Sequence, residues 1–209
     1  MTVNDASTFG ELSPTTLADA LNHEQVMDIG IRPLWQPMPR LAGPVFTVRC
    51  APADNLMLHA AIYRAPAGSV IVVEAGDLDY AVSGGNVCAL AKRRGIAGFV
   101  VDGVIRDLAE VREDRFPVFA RGVIPVPGGK QVAGELNGTV RCGGVQVSAG
   151  DVVVADEEGI VVVPAAQQDT VLEAARTRAA KDAAQSLDDW EAGHRARIDA
   201  ILREKGFVE

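Results

Sequence analysis

The sequence predicts an α/β protein with a central βαβ unit and C-terminal helices. A short apolar run, Ser69–Val73, is typical of a strand that is buried on both faces. Apolar residues at helical spacing follow between Gly84 and Gly95, and a second apolar run, Phe99–Val101, comes next. After Ala165 glycine becomes rare and alanine, arginine and glutamate are frequent, which indicates helices.

The segment before the βαβ unit predicts a helix start, a strand and a short helix. Ser13 is a typical N-cap residue, and Pro14 suits the first helical position. Val45–Arg49 alternates apolar and polar residues as a strand does, and the chain before it is too rich in proline for a helix. Asp54 is placed to cap a helix that runs to Tyr63.

The segment after the βαβ unit predicts short strands and then helices. Residues 116–164 are rich in valine, glycine and proline, with a turn at Asn137-Gly138. The predicted strands are Thr139–Arg141, Val145–Val147, Val152–Ala155 and Ile160–Val163. Helices are expected over 165–205, with Val171, Leu172 and Ala175 on one face. Because no linker separates these parts, we predict a single domain over 1–209 with its core at about 12–164.

Composition and charge exclude several classes of function. The net charge is −8 and the longest basic run is Lys92-Arg93-Arg94, so we expect neither nucleic-acid nor membrane binding. Cys50, Cys88 and Cys142 are odd in number and form no CxxC pair, so neither a disulfide framework nor a zinc site follows from them. The chain start lacks a signal-peptide pattern, and we expect a cytoplasmic protein.

Two glycine-containing segments are expected to meet at one edge of the sheet. The first, Gly84–Val87, opens the crossover helix, and the second, Asp102–Asp107, follows the second strand. In a parallel βαβ unit the loops after both strands lie at the carboxyl edge, where ligands bind. Arg106 can hold a carboxylate through its planar fork, and the helix N-terminus also attracts anions. Asp107 offers a hard oxygen ligand for Mg²⁺.

Each of these signals has a structural alternative. Gly84-Gly85 is compatible with a tight turn. Arg106-Asp107 is compatible with a surface pair or with a helix cap, in which Asp107 caps the helix that runs towards Arg112. Asp102-Gly103 by itself predicts a turn. The other reactive side chains are weaker candidates. The histidines His23, His59 and His194 are scattered along the chain, and Cys88 lies within the crossover helix. Lys130 follows two glycines and could form a Schiff base.

Four motifs in a fixed order resemble a known family. They are Gly84–Val87, Gly95–Asp107, Phe116–Gly122 and Gly150–Pro164, and the resemblance runs from about Leu12 to Arg178. The chain resembles the 4-hydroxy-4-methyl-2-oxoglutarate aldolases, a family that includes relatives similar to the regulator of ribonuclease E activity A. The resemblance implies a swivelling β/β/α fold and assembly as a homotrimer or a dimer of trimers.

The resemblance also implies roles for individual residues. Backbone N–H groups of Gly84, Gly85, Asn86 and Val87 would contact the pyruvyl part of a small 2-oxo acid. Arg106 would bind the substrate and steady its enolate, and Asp107 would hold Mg²⁺ or Mn²⁺. An acidic residue from a neighbouring subunit's C-terminal region would reach the site, and Asp182 is the position that we match to it.

One position departs from the aldolase pattern. Aldolase-type members tend to carry an acidic residue in the glycine segment, and this chain has Asn86. An amide is neither an acid nor a base near neutral pH, which fits oxaloacetate decarboxylation better than an aldol cleavage that needs a proton shuttle.

The leading hypothesis is therefore a divalent-metal-dependent lyase that cleaves a C–C bond in a pyruvate-derived 2-oxo acid. The alternative is a non-catalytic regulator that binds an RNA-processing enzyme. A quinone methyltransferase, an older label for the family, is disfavoured because no glycine-rich nucleotide loop with a downstream acidic partner is present.

Overall fold

A computed structural model describes residues 6–207 of the protein. Within them a seven-stranded sheet is built from strands in the spatial order β1-β5-β4-β3-β2-β8-β9. Their bounds are β1 Arg32–Pro33, β2 Leu41–Arg49, β3 Val70–Glu74, β4 Gly98–Ile105, β5 Val118–Val123, β8 Val152–Asp156 and β9 Gly159–Val163. Strands β2 to β5 run parallel to one another, and a separate antiparallel hairpin pairs β6 Val140–Cys142 with β7 Val145–Val147.

The helices are short in the first part of the chain and long at its end. Their bounds are α1 Pro14–Ala18, α2 Leu56–Ile62, α3 Gly85–Arg93, α4 Leu108–Glu113, α5 Gln168–Ala184 and α6 Leu187–Glu204, with 3₁₀ turns at Ala6–Glu11, His23–Gln25 and Ala165–Gln167. Ser13 caps α1 as predicted, since its Oγ accepts a hydrogen bond from Thr16 N at 3.1 Å. None of these helices combines the length and apolar character of a membrane span in residues 6–207.

The predicted βαβ unit is confirmed by β3, α3 and β4. Strand β3 pairs with β4 in parallel, and its residues alternate between two apolar cores. Ile71 and Val73 pack on the side of α2 and α3, whereas Val70 and Val72 pack on the side of the small hairpin. Because all four side chains are fully buried, at roughly 1.5–3 kcal/mol each, the apolar run fixes this strand at the centre of the sheet.

Several predicted boundaries differ from the structure. Strand β4 does not end at Asp102-Gly103 but continues to Ile105, with a register shift against β5 between Val101 and Val104. Strand β2 begins at Leu41, before the predicted start, because its first part pairs with β8 rather than with β3.

The hairpin and the start of α2 also differ in detail. Strand β6 is shifted by one residue from its prediction, and Gly143 and Gly144, both with positive φ, turn the hairpin. Asn137 also has a positive φ. Asn55 rather than Asp54 is the N-cap residue of α2, although Asp54 Oδ1 still accepts from Leu56 N.

The chain divides into two compact units, one up to Ala175 and the other from Arg176. In the first, Val171, Leu172 and Ala175 of α5 are buried, as the apolar face of that helix predicts. In the second, α6 has no buried residue. That the whole chain 1–209 acts as one domain stays a prediction, and its first five and last two residues lie outside the described range.

Candidate active site

The two glycine-containing segments meet at the carboxyl end of β4, as the topology predicts. The chain just before α3 pairs with the end of β4 through a parallel bridge between Ser83 and Ile105. Arg106 N donates to Ser83 O at 2.9 Å, which extends this pairing by one residue. Gly84 and Asp107, the next residues of the two segments, therefore lie side by side at the N-terminus of α3.

Glycine at position 84 is required by a close approach rather than by its backbone angles. Gly84 is extended, with φ −164°, a conformation that any residue adopts. A Cβ at this position would lie 2.5 Å from Asp107 Oδ2, which is too short, and 3.0 Å from Arg106 Cγ, which is tight, so that both side chains would have to shift. Gly85 is constrained in the same way, because a Cβ there would collide with the Glu110 carboxylate. The glycines thus leave room for charged side chains.

The Asp107 carboxylate points at the start of α3 and does not cap its own helix. Its Oδ2 accepts from Gly85 N at 3.2 Å and pairs with Arg106 Nε at 3.3 Å. Asp107 is the residue before α4, yet its side chain makes no capping bond there. Asp107 therefore occupies the N-cap position of α4, as the alternative predicts, but without a side-chain capping bond. The backbone of Asp107 is left-handed, with φ 56°, a conformation that costs roughly 1–2 kcal/mol outside glycine, less for Asp and Asn.

The carboxylate of Asp107, at the N-terminus of α3, could serve as the single protein ligand of a divalent cation. Residues 6–207 contain no group of three or more His, Cys, Asp or Glu side chains that could hold a metal. Asp107 uses Oδ2 for its contacts with Gly85 and Arg106, and no described donor contacts Oδ1. Mg²⁺ often takes one protein carboxylate and completes its shell with water and substrate oxygens. Asp107 is the residue here that suits this mode of binding.

Asp102 lies within β4, ahead of Asp107 in the chain, and has a different role. Its Oδ1 accepts from Arg121 Nε at 2.5 Å, and its Oδ2 accepts from Gly143 N at 2.7 Å. Arg121 also pairs with Asp28 at 3.0 Å. Asp102 thus connects the β6–β7 hairpin to the sheet through hydrogen bonds. The prediction that Asp102 lies in a turn is wrong, because it lies within β4.

A small cavity of about 90 Å³ lies beside Arg106 and Asp107, which is room for several water molecules. One set of lining residues, the glycine wall, comprises Gly84, Asn86, Val87, Arg106 and Asp107. A second set of lining residues, the lysine wall, comprises Asn55, His59 and Lys130. The sequence predicted the glycine wall, whereas it gave the histidine and the lysine little weight and did not single out Asn55.

Two groups in the lysine wall have unusual surroundings. Asn55 is 5% exposed, and its buried Oδ1 has no hydrogen-bond partner among the described residues. Burial, and to a lesser degree the nearby Lys130 charge, lower the pKa of His59 below its usual value, so the imidazole is neutral at pH 7. The one sequence signal for this pair is its i, i+4 spacing at the start of α2, which places both residues on one helix face.

Two other predicted candidates for covalent chemistry gain no support. Cys88 is fully buried in α3, and burial raises the pKa of its thiol to about 12, so it packs as a small apolar residue. Lys130 is exposed, so the desolvation that activates a Schiff-base lysine is missing.

Asp182 belongs to the second compact unit. Its Oδ2 pairs with Arg178 Nε at 2.8 Å, one helical turn earlier on α5, and its side chain is 53% exposed. Its predicted role as an acidic residue supplied to a neighbouring subunit's site stays a prediction.

Comparisons with known proteins identify relatives of this chain. The sequence profile described as RraA-like, Aldolase/RraA, matches residues 14–162. A relative from Halalkalibacterium halodurans named "Putative 4-hydroxy-4-methyl-2-oxoglutarate aldolase" is 37% identical over 202 residues, which is 96% of this chain and 92% of the relative.

Two solved structures share the fold. An uncharacterized protein from Pseudomonas syringae pv. tomato has a TM-score of 0.76 at 28% identity, covering 90% of this chain and 92% of that one. The RNA-processing inhibitor RraA from Thermus thermophilis has a TM-score of 0.66 at 31% identity, covering 72% and 91%. The mixed α/β architecture predicted from the resemblance is thus confirmed as an RraA-like fold. The profile match and the similarity to these relatives show that the chain belongs to the RraA-like family.

Proposed function

We propose that the protein is a divalent-metal-dependent lyase that cleaves a C–C bond in a pyruvate-derived 2-oxo acid. The observation that carries the proposal is the contact of the Asp107 carboxylate with both Arg106 and the first N–H of α3, beside a small cavity. The aldolase name of the Halalkalibacterium halodurans relative supports it.

The start of α3 supplies binding groups for the carboxylate of such an acid. The first N–H groups of a helix have no acceptor within the helix and carry partial positive charge. Gly85 N already donates to Asp107, whereas Cys88 N donates to Gly84 O within the helix. The N–H groups of Asn86 and Val87 lie between them and are the ones proposed to bind the pyruvyl carboxylate.

Arg106 is proposed to stabilise the negative charge that develops on the 2-oxo oxygen. Its Nε pairs with Asp107, and no ion pair involves its terminal nitrogens within residues 6–207. A planar guanidinium held in this way can donate to an enolate oxygen as charge builds on it. A divalent cation bound by Asp107, Mg²⁺ or Mn²⁺, would supply additional polarisation of the carbonyl.

The amide side chain of Asn86 affects whether the proposed site favours retro-aldol cleavage or decarboxylation. Retro-aldol cleavage must remove the proton of the 4-hydroxyl group, and an amide cannot accept it. Decarboxylation of oxaloacetate needs no such base, since CO₂ leaves directly and the enolate is then protonated. We therefore propose oxaloacetate as the better substrate and 4-hydroxy-4-methyl-2-oxoglutarate as the poorer one.

The proposal includes a homotrimer or a dimer of trimers in which Asp182 of one subunit serves the site of the next. The support for this part is the family relationship. Asp182 is about half exposed, so a neighbouring chain could reach it.

The test is pyruvate release from both acids, with Mg²⁺ and with EDTA, by the wild type and by Asp107→Ala, Asp182→Ala and Glu113→Ala. We expect EDTA and Asp107→Ala to lower turnover by about 1,000-fold, because removal of one well-placed electrostatic group costs roughly 10²–10³ in rate and Asp107 also holds the cation. Glu113, an exposed carboxylate on α4, is the matched control and should leave turnover unchanged.

Equal turnover by Asp107→Ala and Glu113→Ala would contradict the proposed site. A folded wild type that releases pyruvate from neither acid would contradict the proposed lyase, and the alternative, binding to an RNA-processing enzyme, would then be tested. The relative from Thermus thermophilis is described as an RNA-processing inhibitor, which gives that alternative its basis.

A further inference from the structure

We propose that Glu110 is a further catalytic residue, whose carboxyl group transfers the proton on C3 of the pyruvyl group. The inference rests on the proposed lyase function and deepens it by naming the proton-transfer group of that site. It is carried by the position of the Glu110 carboxylate against Gly85, the first residue of α3.

The Glu110 carboxylate fills the space that a side chain at position 85 would take. Glu110 lies in the first turn of α4, which packs beside α3. A Cβ on Gly85 would collide with Glu110 Oε2, and it would lie 2.8 Å from Glu110 Cδ and 2.9 Å from Glu110 Cβ. Because glycine has no Cβ, the carboxylate can reach the backbone at the start of α3. The neighbouring helix thus supplies the acidic side chain that α3 itself lacks here.

Two carboxylates meet at Gly85, and they differ in their contacts. Asp107 Oδ2 accepts from Gly85 N at 3.2 Å and pairs with Arg106 Nε at 3.3 Å, and Asp107 is the proposed cation ligand. The Glu110 side chain is exposed, and no hydrogen-bond donor or cation within residues 6–207 contacts it. Glu110 is therefore the carboxyl group that is available to exchange a proton.

A substrate bound as proposed would lie beside Glu110. The N–H groups proposed to bind the pyruvyl carboxylate belong to Asn86 and Val87, which directly follow Gly85. A substrate held there would place C3, the carbon after its 2-oxo group, close to the residue that Glu110 contacts. Acid–base catalysis requires such closeness between the carboxyl group and the carbon that is protonated.

The other side chains around the start of α3 are poor proton carriers. The Asn86 amide is neither an acid nor a base near neutral pH, and the Arg106 guanidinium keeps its protons. Burial raises the pKa of the Cys88 thiol to about 12. His59 lines the cavity from the lysine wall and is the rival acid–base group, so the experiment includes it.

The proposed step balances for decarboxylation of oxaloacetate. The C3–C4 bond breaks, C4 leaves as CO₂, and the bonding electrons form the enolate of pyruvate. The Glu110 carboxyl group donates its proton to C3, which gives pyruvate, and the carboxylate regains a proton from water. In reverse, the carboxylate removes a methyl proton from pyruvate. This step concerns the proton on C3 rather than that of a 4-hydroxyl group, so it is compatible with oxaloacetate as the better substrate.

The experiment compares two reactions of the intact protein with Mg²⁺. One is decarboxylation of oxaloacetate, and the other is exchange of the pyruvate methyl protons with D₂O, followed by NMR. Pyruvate binding is measured by calorimetry. The variants are Glu110→Gln, which keeps the shape of the side chain, His59→Gln, and the control Glu113→Gln, an exposed carboxylate on the same helix.

We expect Glu110→Gln to lower exchange about 100-fold, because acid–base catalysis by one positioned side chain contributes roughly 10²–10⁴ in rate. Decarboxylation should fall less, about 10-fold or below, since C–C cleavage needs no acid and water can protonate the enolate. Pyruvate affinity should change less than about twofold, as expected when only proton transfer is lost. Glu113→Gln should match the wild type throughout.

A double variant separates the carboxyl group from the packing of α4. Glu110→Ala removes the collision at position 85, and Gly85→Asp then returns a carboxyl group to the same place. We expect the double variant to exchange pyruvate protons faster than Glu110→Ala alone, with circular dichroism as the check on folding. A purely structural role of Glu110 predicts no such recovery.

Two results would overturn the inference and leave the proposed function intact. One is unchanged exchange in Glu110→Gln, whether or not His59→Gln loses it. The other is an equal loss of both reactions together with weaker pyruvate binding, which would show that Glu110 only supports the start of α3. A wild type that catalyses neither reaction would instead overturn the proposed function on which the inference rests.

Discussion

The glycine wall and the lysine wall of the cavity are built in different ways. The glycine wall comes from two segments of one βαβ unit, which meet because parallel strands end at the same edge. The lysine wall joins the start of α2 to a distant loop through the Asp54 carboxylate and backbone hydrogen bonds around Gly129. Topology is therefore enough to assemble the first wall, whereas the second depends on individual contacts.

This difference predicts unlike responses to substitution. A change in the glycine wall should damage the chemistry and leave most of the fold intact, since its residues lie at the rim of a buried sheet. A change in the contacts behind the lysine wall should loosen the loop that holds Lys130 and lower stability.

Of the substitutions that compare the two walls, Gly84→Ala is expected to have the largest effect. The new Cβ would displace the side chains of Asp107 and Arg106, and a shift of about 1 Å at a reacting group costs on the order of 100-fold in turnover. Pyruvate release from oxaloacetate measures this loss, with circular dichroism as a check on folding. Gly193→Ala is the matched control, because a Cβ there meets no other atom within 4 Å.

Wild-type turnover in Gly84→Ala would contradict the idea that this close approach positions the charged pair. A loss of the same size in Gly193→Ala would point to a general effect of added methyl groups.

An intermediate effect is expected from Asp54→Ala. Asp54 is buried and accepts from Leu56, Gln131 and Val132, so its removal leaves three backbone donors without acceptors. We expect the free energy of unfolding to fall by about 2–3 kcal/mol in urea titration. Glu173→Ala, on the exposed face of α5, should change it by less than about 0.5 kcal/mol.

Hydrogen exchange would locate the effect of Asp54→Ala. Faster exchange confined to residues 128–132 and the start of α2 fits the proposed anchor, whereas an unchanged unfolding free energy would exclude it.

The smallest effect concerns His59 and pH. Burial keeps the folded-state pKa of His59 below the unfolded value of about 6.5, so the unfolded chain binds a proton first as the pH falls. The contribution of His59 to stability is therefore present above pH 6.5 and is lost as the pH drops from there toward the folded-state pKa. Urea unfolding at pH 8 and 5.5 should show a smaller pH effect in His59→Gln than in the wild type.

His23→Gln controls for loss of an imidazole outside the cavity. If both variants reduced the pH effect equally, the environment of His59 would not be its source.

The elements that could be predicted are those with strong local patterns. The Ser13-Pro14 helix start and the apolar run of β3 were confirmed because a cap and a doubly buried strand depend on near neighbours in the sequence. The end of β4 was predicted too early, since Asp102-Gly103 has the composition of a turn. In the structure the strand continues through these residues, and Arg121 and Gly143 bind the Asp102 carboxylate.

The sequence by itself determined the central βαβ unit and placed Arg106 and Asp107 at its carboxyl edge. These features follow from apolar periodicity and from the geometry of parallel strands, which act over short stretches of chain. Only the tertiary structure decided that Asp102 is structural while Asp107 lines the cavity, and that Asn55, His59 and Lys130 line the same cavity. Those outcomes depend on hydrogen bonds between residues far apart in the chain, for which the sequence carries no local pattern.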